Sequence, residues 1–589
     1  MISRLFDIVE KRYREEPEAV MLAGKENGQY RTYSCRDVWE TAQKLCGGLL
    51  SLGIANQDPS PEKLEKIALI APNRPEWIIT DVAVQLTGAV LTPLYPTISP
   101  HDMVYVLNEA QVKIIFIAGE ELFERFRDAF KEIPSLQYIF SFDEVNGVTN
   151  WKELINKNLQ PDSSVVNGIH PETLATIIYT SGTTGNPKGV MLSHHNIVSN
   201  VESCMCEFWF ATKGERTLSF LPLNHIFERT VTYIYLNAGV SVYYAESMDT
   251  IGANLKEVKP IVFTTVPRLL EKVYERIYAT GLEQKGIKKA LFFWALNLGF
   301  KFDNINHGSL WYRIQLAIAN ALVFKKWRDA LGGNVKAIVT GAAACQVRLI
   351  RVFTAAKLVI MEGYGLTETS PVISVNKFVS EDRRVGTIGP VIKDVQVKLA
   401  EDGEILCKGP NIMMGYYKNP EMTAEAIKDG WFYTGDIGEW VEGRFLKITD
   451  RKKEIFKTAG GKYVAPQVVE NKMKESVFIE QMMVIGAGRK FVSALIVPAF
   501  NYVRKYLQDH GTTPPASNEE LVKMPEVQQL IQKQIDKYNP LFSHPEQIKK
   551  FDLLPNEWTI DAGELTPTIK VKRKVIEQRY SGIIDAMYA

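Results

Sequence analysis

The sequence predicts an α/β chain rich in parallel sheet, followed by a smaller antiparallel part and a terminal α+β unit. Three observations predict it. Between Lys66 and Gly119, short apolar runs alternate with helix-length segments. From near residue 384, short runs are separated by glycine-containing turns, and after the charged run Asp450-Arg-Lys-Lys-Glu454 strands and helices mix again. Strands joined through helix-length crossovers pair in parallel, whereas strands joined by tight turns pair antiparallel. A length of 589 residues exceeds a single core, and at ~100–200 residues per domain it implies about three to five structural units.

The elements follow in order. Leu5, Phe6, Ile8 and Val9 lie among charges at helical spacing, a stretch too short and too interrupted for a secretory signal. Residues 67–71 form a buried strand, Asn73 is a candidate cap, and 76–86 a helix; 88–94, 99–108 and 112–118 repeat strand, helix, strand. The apolar runs 176–179, 261–265 and 335–340 continue the parallel theme, while 395–399, 403–407 and 443–448 read as antiparallel hairpin strands. Beyond the charged run, strands at 482–485 and 493–497 and a helix over 525–538 form the last unit.

Composition narrows the function classes. Hydrophobic residues at 46% and charged residues at 23% are ordinary globular values and exclude a disordered chain. Lys+Arg 69 against Asp+Glu 68 leaves a formal charge of +1, so no nucleic-acid partner is expected. Six cysteines without paired metal-site spacing are expected to be buried, reduced thiols. No apolar stretch reaches the ~18 residues needed to span a bilayer. A cytoplasmic location is expected, with a peripheral position on the inner face of the membrane left open.

The most informative segment is Tyr179-Thr-Ser-Gly-Thr-Thr-Gly-Asn-Pro-Lys-Gly-Val190, which follows an apolar strand and precedes a helix opening near residue 192. Its glycines let backbone amides approach an anion, four hydroxyl residues add donors, and Lys188 adds positive charge: an inventory suited to polyphosphate. It departs from the Walker pattern, because Lys188 precedes Gly189 and no hydroxyl residue follows the lysine directly. A Gly/Thr surface loop would explain the glycines but not the lysine.

This segment resembles the phosphate-binding motif of the adenylate-forming acyl-CoA synthetases, and further motifs follow in that family's order. Met361-Glu-Gly-Tyr-Gly-Leu-Thr-Glu-Thr369 resembles its adenine and metal segment, Tyr433-Thr-Gly-Asp-Ile437 its ribose turn, and residues 443–454 its hinge. The resemblance implies a large N-terminal domain over 1–449, made of parallel-rich α/β subdomains plus a small β-barrel-like subdomain. A hinge at 450–454, turning about Lys453, joins it to a mobile α+β C-terminal domain over 455–589. It implies that Thr180, Ser181, Gly182, Thr183, Thr184, Gly185 and Lys188 hold the ATP phosphates. Gly341, Ala342 and Ala343 would form one side of the adenine slot and Tyr364 the other, with Glu362, Gly363, Gly365 and Thr367 in the same nucleotide segment. Asp436 and Arg451 would bind the ribose; Glu368, with the Thr180 hydroxyl, would hold Mg²⁺. Lys570 would bridge a carboxylate and the α-phosphate, although Thr568-Ile569 stands where the family more often has Ser-Gly, a variant similar to its long-chain branch. Lys572 is a neighbouring alternative. His225, in Leu221-Pro-Leu-Asn-His-Ile-Phe-Glu228, lies in the family's acyl-site motif, and as a catalytic candidate it competes with a purely positioning role.

The apolar segments 290–300 and 310–324 resemble the insertion of long-chain fatty acyl-CoA synthetases. Such helices could wall an acyl tunnel, lie on a membrane surface or be buried core helices. The resemblance thus implies an enzyme that activates a long-chain fatty acid with ATP and Mg²⁺ and passes the acyl group to CoA. Transfer to a carrier-protein thiol, a luciferase-like oxidation of the acyl-adenylate and a homodimeric assembly remain open at this level.

Overall fold

The computed structural model describes residues 2–54, 58–180, 186–306, 308–559, 562–565 and 571–589. Among them, two eight-stranded sheets dominate. The first runs, edge to edge, Val372–Val375, Val359–Gly365, Ala337–Thr340, Val262–Thr265, Arg216–Ser219, Ser241–Tyr244, Val20–Glu26 and Gln29–Ser34. Its interior pairs are all parallel, and only its two edge pairs are antiparallel. The second runs Gly415–Tyr416, Lys188–Ser193, Leu174–Thr180, Val90–Leu94, Lys66–Ile70, Ile114–Ile117, Tyr138–Ser141 and Thr149–Asn150. The parallel pairs of the second sheet are joined by crossover helices expected from the alternating pattern, such as Pro75–Leu86 and Pro100–Ala110.

Helices Leu5–Glu15, Cys35–Leu50, Pro75–Leu86, His194–Met205 and Ile226–Ala238 share one hydrophobic core with both sheets. The four apolar residues read from the amino terminus, Leu5, Phe6, Ile8 and Val9, are all fully buried there. A charged network crosses the same layer. Arg229 donates from Nε to Asp81 Oδ2 at 2.9 Å and from a terminal nitrogen to Thr176 Oγ1 at 2.9 Å, and the Tyr233 hydroxyl donates to Asp81 at 2.8 Å. Arg229 and Asp81 are both fully buried, so their pairing offsets the cost of taking each charge out of water.

One local expectation is corrected. Asn73 does not cap the helix that begins at Pro75; Arg74 occupies the cap position without a side-chain bond. The Asn73 amide instead donates to Leu221 O at 2.6 Å and Ser219 Oγ at 3.0 Å, and its carbonyl accepts from Leu223 N at 3.0 Å. It therefore ties the end of one sheet to the loop leaving the other. A second correction concerns the thiols: all six are free, but Cys206 is exposed rather than buried.

Five strands between residues 396 and 451 form an antiparallel sheet centred on the long strand Trp431–Val441, while Gly415–Tyr416 leaves to join the second sheet. A separate core then draws its buried residues from 464–587, around the strands Ile479–Ile485, Val492–Pro498 and Ile548–Leu553 and the helix Pro525–Tyr538. The Tyr502 hydroxyl donates to Glu275 O at 2.8 Å and Arg268 pairs with Glu480, bringing this last unit against the helix Pro267–Glu283.

Candidate active site

Thr180 ends the strand Leu174–Thr180, and Lys188 begins the next strand as its antiparallel partner. The polyphosphate-like segment thus stands in the chain between two antiparallel strands; the helix expected after it, His194–Met205, starts one strand later, capped reciprocally by Ser193 and Asn196. Residues 181–185, which carry five of the expected phosphate contacts, lie outside the described residues. Gly189 is demanded by its neighbours, since a Cβ there would fall 2.8 Å from the Ile177 side chain.

Three side chains meet at the base of this hairpin. The Lys188 ammonium donates to Glu368 Oε1 at 2.7 Å and to the Tyr416 hydroxyl at 2.8 Å, and Tyr416 donates to the same Glu368 oxygen at 2.8 Å. Tyr416 reaches the cluster because its strand pairs antiparallel with that of Lys188, through Tyr416 and Val190. Burial works to raise the Glu368 pKa, but Lys188, the backbone and the Tyr416 hydroxyl outweigh it and hold the carboxyl below its ordinary value of 4.5. Glu368 sits in the short turn Thr367–Thr369, which is anchored by Met413 N donating to Glu368 O at 2.9 Å and by the Asn411 amide donating to Thr369 O at 2.9 Å. Nearby, the Thr180 hydroxyl is buried without a hydrogen-bond partner among the described residues.

Four residues before Glu368, the Tyr364 hydroxyl donates to Asp436 Oδ2 at 2.6 Å, and Arg451 Nε approaches Asp436 Oδ1 at 3.3 Å. Asp436 and Arg451 are cross-strand partners in the antiparallel sheet, so register alone brings them together. Gly365 permits the sharp passage between the two clusters, because a Cβ there would fall 1.7 Å from Pro371 O.

Gly341, Ala342 and Ala343 follow the strand Ala337–Thr340, which pairs in parallel with Val359–Gly365, so the two expected sides of the adenine slot leave neighbouring strands. Gly341 is tight against the Phe227 ring, with a Cβ position 3.3 Å from it. Glu362 faces inward: its carboxyl accepts from Cys345 N at 2.7 Å, pinning that loop, and burial pushes its pKa up to about 7. His225 is the cap of the helix Ile226–Ala238, its Nδ1 accepting from Phe227 N at 3.1 Å, so the ring has a positioning task there. Thr367 is buried in the Glu368 turn, Gly363 is half-buried, and Lys453 is exposed. Lys570 lies outside the described residues; Leu565 and Val571, which flank it in the chain, form an antiparallel bridge.

Sequence reasoning missed Tyr416, whose only signal is its place beside glycine in a short strand, and missed that Glu368 is already paired with Lys188. A cavity of about 480 Å³ lined by Phe302, Leu316, Asn320 and Phe378 lies apart from these clusters and includes no member of them.

Two polar clusters, one around Glu368 and one around Asp436, flank one short turn of an α/β chain, and comparison with known proteins gives its family. The AMP-binding enzyme family matches residues 9–417 and the AMP-binding enzyme C-terminal domain matches residues 454–589; the chain belongs to this family. It is 33% identical over 592 aligned positions, covering 98% of this chain and 95% of the relative, to the long-chain-fatty-acid–CoA ligase FadD15 of Mycobacterium bovis. It is 32% identical to human long-chain-fatty-acid–CoA ligase 1, covering 96% of this chain and 83% of that one. The fold matches the adenylation domain of a carboxylate reductase from Mycobacterium chelonae with a TM-score of 0.77 at 21% identity, covering 99% of this chain and 91% of that one. It also matches an anthranilate CoA ligase solved with anthranoyl-AMP, with a TM-score of 0.73 at 16% identity, covering 98% and 99%.

Proposed function

We propose that the chain is an ATP-dependent long-chain fatty acid–CoA ligase. The observation that carries the reading is the near-full-length similarity to relatives named long-chain-fatty-acid–CoA ligases, over a chain in which Lys188 meets Glu368 and Arg451 meets Asp436. A fatty carboxylate oxygen attacks the α-phosphorus of ATP, the bond to the β-phosphate oxygen breaks, and pyrophosphate leaves. The CoA sulfur, having lost its proton, then attacks the acyl carbon and AMP departs. A thiol with a pKa of ~8.5 is only a few per cent thiolate at pH 7, so the activated anhydride supplies the driving force.

Negative charge builds on phosphate oxygens in the first step, and fixed cations and donors facing it lower the barrier. Lys188 would leave Glu368 for the β- and γ-phosphates, which the residues from Thr180 to Lys188 would hold together. Tyr364 would stack on adenine opposite Gly341–Ala343, and Asp436 would accept from the ribose hydroxyls beside Arg451. The donor set suits a hard cation, because the buried, ionised Glu368 carboxyl and the Thr180 hydroxyl, which has no partner among the described residues, are both oxygen ligands. Bound there, Mg²⁺ would neutralise charge on the leaving pyrophosphate. Division of the chain at 450–454 would let residues 455–589 turn about Lys453, first presenting Lys570 to the α-phosphate and then opening the thiol path. A location on the inner face of a membrane suits a lipid substrate.

The test separates the half-reactions. Lys570→Ala should abolish ATP–pyrophosphate exchange while supplied acyl-adenylate is still converted to acyl-CoA; equal loss of both overturns the role of Lys570. Formation of ADP in place of AMP, or acyl transfer to a holo carrier protein with none to CoA, overturns the reading itself.

A further inference from the structure

The two apolar segments pack as an antiparallel pair, Gly286–Phe300 followed by a continuous helical rod from Leu310 to Ala330. The inner face of the rod is core: Ala319, Val323, Phe324 and Trp327 are buried against the first sheet's helices. Asn320 and Arg328 fix it further, donating to Ala355 O at 2.9 Å and Ala356 O at 2.8 Å. The outer face is different. Leu310 is 71% exposed, Trp311 65%, Ile314 44%, Ile318 44% and Leu322 53%. Their spacing of about one helical turn lines them along one side of a rod ~30 Å long. An apolar stripe of this size held rigidly in water marks an interaction surface.

Charge identifies what covers it. Lys325 and Lys326 end the stripe and are exposed, and the Phe292–Trp327 ring contact at 6.4 Å brings the basic first turn of the partner helix alongside. That turn carries exposed Lys285, Lys288 and Lys289 around Ile287, itself 86% exposed. Lys289 is partly engaged with Asp509, and Asp329 is the exposed acid of the rod's last turn, which leaves four lysines as the dominant charge at this end. Apolar residues with a tryptophan on one face and lysines at its end are the pattern of a helix lying in the plane of an anionic bilayer.

We propose that the rod Leu310–Ala330 docks on an anionic lipid surface, inserting Trp311, Ile314 and Ile318 among the acyl chains while Lys325 and Lys326 meet the headgroups. The proposal rests on the fatty acid reading above and names the surface from which that substrate is taken. It is tested by flotation of the full chain with phosphatidylcholine vesicles, with and without phosphatidylglycerol. The wild type should float with the phosphatidylglycerol vesicles and be released by salt. Trp311→Ser/Ile314→Ser/Ile318→Ser should abolish binding, and Lys325→Gln/Lys326→Gln should weaken it about 30-fold, at ~1 kcal/mol for each lysine. Pyrophosphate release with a short, water-soluble fatty acid should be the same in all three proteins, so failure of that assay in the wild type would count against the enzymatic reading and leave the flotation result to judge the surface. A wild type that stays with neither vesicle, or a triple variant that floats equally well, overturns the proposal. So does a wild type that sediments as a dimer which the triple variant splits, since a second copy would then be the occupant.

Discussion

Replacing Lys188 with methionine removes the cation that keeps Glu368 ionised inside the protein. The Nζ–Oε1 separation is 2.7 Å, and at an effective dielectric of about 20 the attraction is about 6 kcal/mol. Side-chain exposure of 27% for Lys188 against 8% for Glu368 means that solvent screens the lysine end. With the cost of desolvating the carboxylate, about 2–3 kcal/mol of net coupling remains. A cycle of Lys188→Met, Glu368→Gln and the double variant, followed by urea unfolding and tryptophan fluorescence at pH 7.5, measures that coupling directly. The pH dependence has a definite sign. In the wild type the Glu368 pKa is depressed, so its stabilising contribution is present above 4.5 and lost as pH falls through the depressed value. In Lys188→Met, burial acts without the lysine and raises it, so the destabilisation is greatest at neutral pH and shrinks as acid protonates the carboxyl. Coupling below about 0.5 kcal/mol, or a gap between the two proteins that does not narrow from pH 7.5 downward, refutes the argument. Adding ATP with Mg²⁺ should reduce the coupling, because phosphate competes for the same ammonium.

Asp436→Asn weakens two contacts, to Tyr364 at 2.6 Å and Arg451 at 3.3 Å, and removes the charge from the acceptor of the ribose hydroxyls; at about 2–3 kcal/mol for one charged hydrogen bond, the KM for ATP in a pyrophosphate-release assay should rise about 100-fold, and an unchanged KM removes Asp436 from the nucleotide site. Glu362→Gln tests burial: the wild-type carboxyl titrates at about 7 when folded against an ordinary 4.5, so its contribution to stability falls as pH rises between those values and is level above them. The glutamine variant should therefore gain roughly 2–3 kcal/mol on the wild type between pH 5 and 8, and parallel urea midpoints across that range contradict it. Arg229→Met strands the fully buried Asp81 and should cost about 3–5 kcal/mol in urea unfolding, with a loss under 1 kcal/mol ruling out the pair as an essential tie between the sheets.

Legibility in the sequence followed the range of the interactions. The helix Pro525–Tyr538 and the strand Lys66–Ile70 stand where periodicity puts them, because each depends on residues a few positions apart. Asn73 was misread for the opposite reason: a helix-start residue type sits beside Pro75, yet its partners Ser219, Leu221 and Leu223 lie about 150 residues away. The strand Lys188–Ser193 was hidden because its glycine and lysine announce a phosphate loop more loudly than its short apolar run announces a strand. His225 shows the limit of residue type alone, since nothing in an imidazole announces that its Nδ1 will cap a helix.

By itself, the sequence determined the parallel-rich α/β class, the antiparallel segment after it, and the residue types that carry the chemistry, since local patterning and motif order are properties of the chain. Only the tertiary structure decided that Lys188, Glu368 and Tyr416 share one hydrogen-bonded cluster, that Asp436 faces Arg451, and that one side of the rod Leu310–Ala330 is left to solvent. Those outcomes depend on strand register and on which helix face finds a partner, and both are fixed by contacts between segments that local periodicity does not connect.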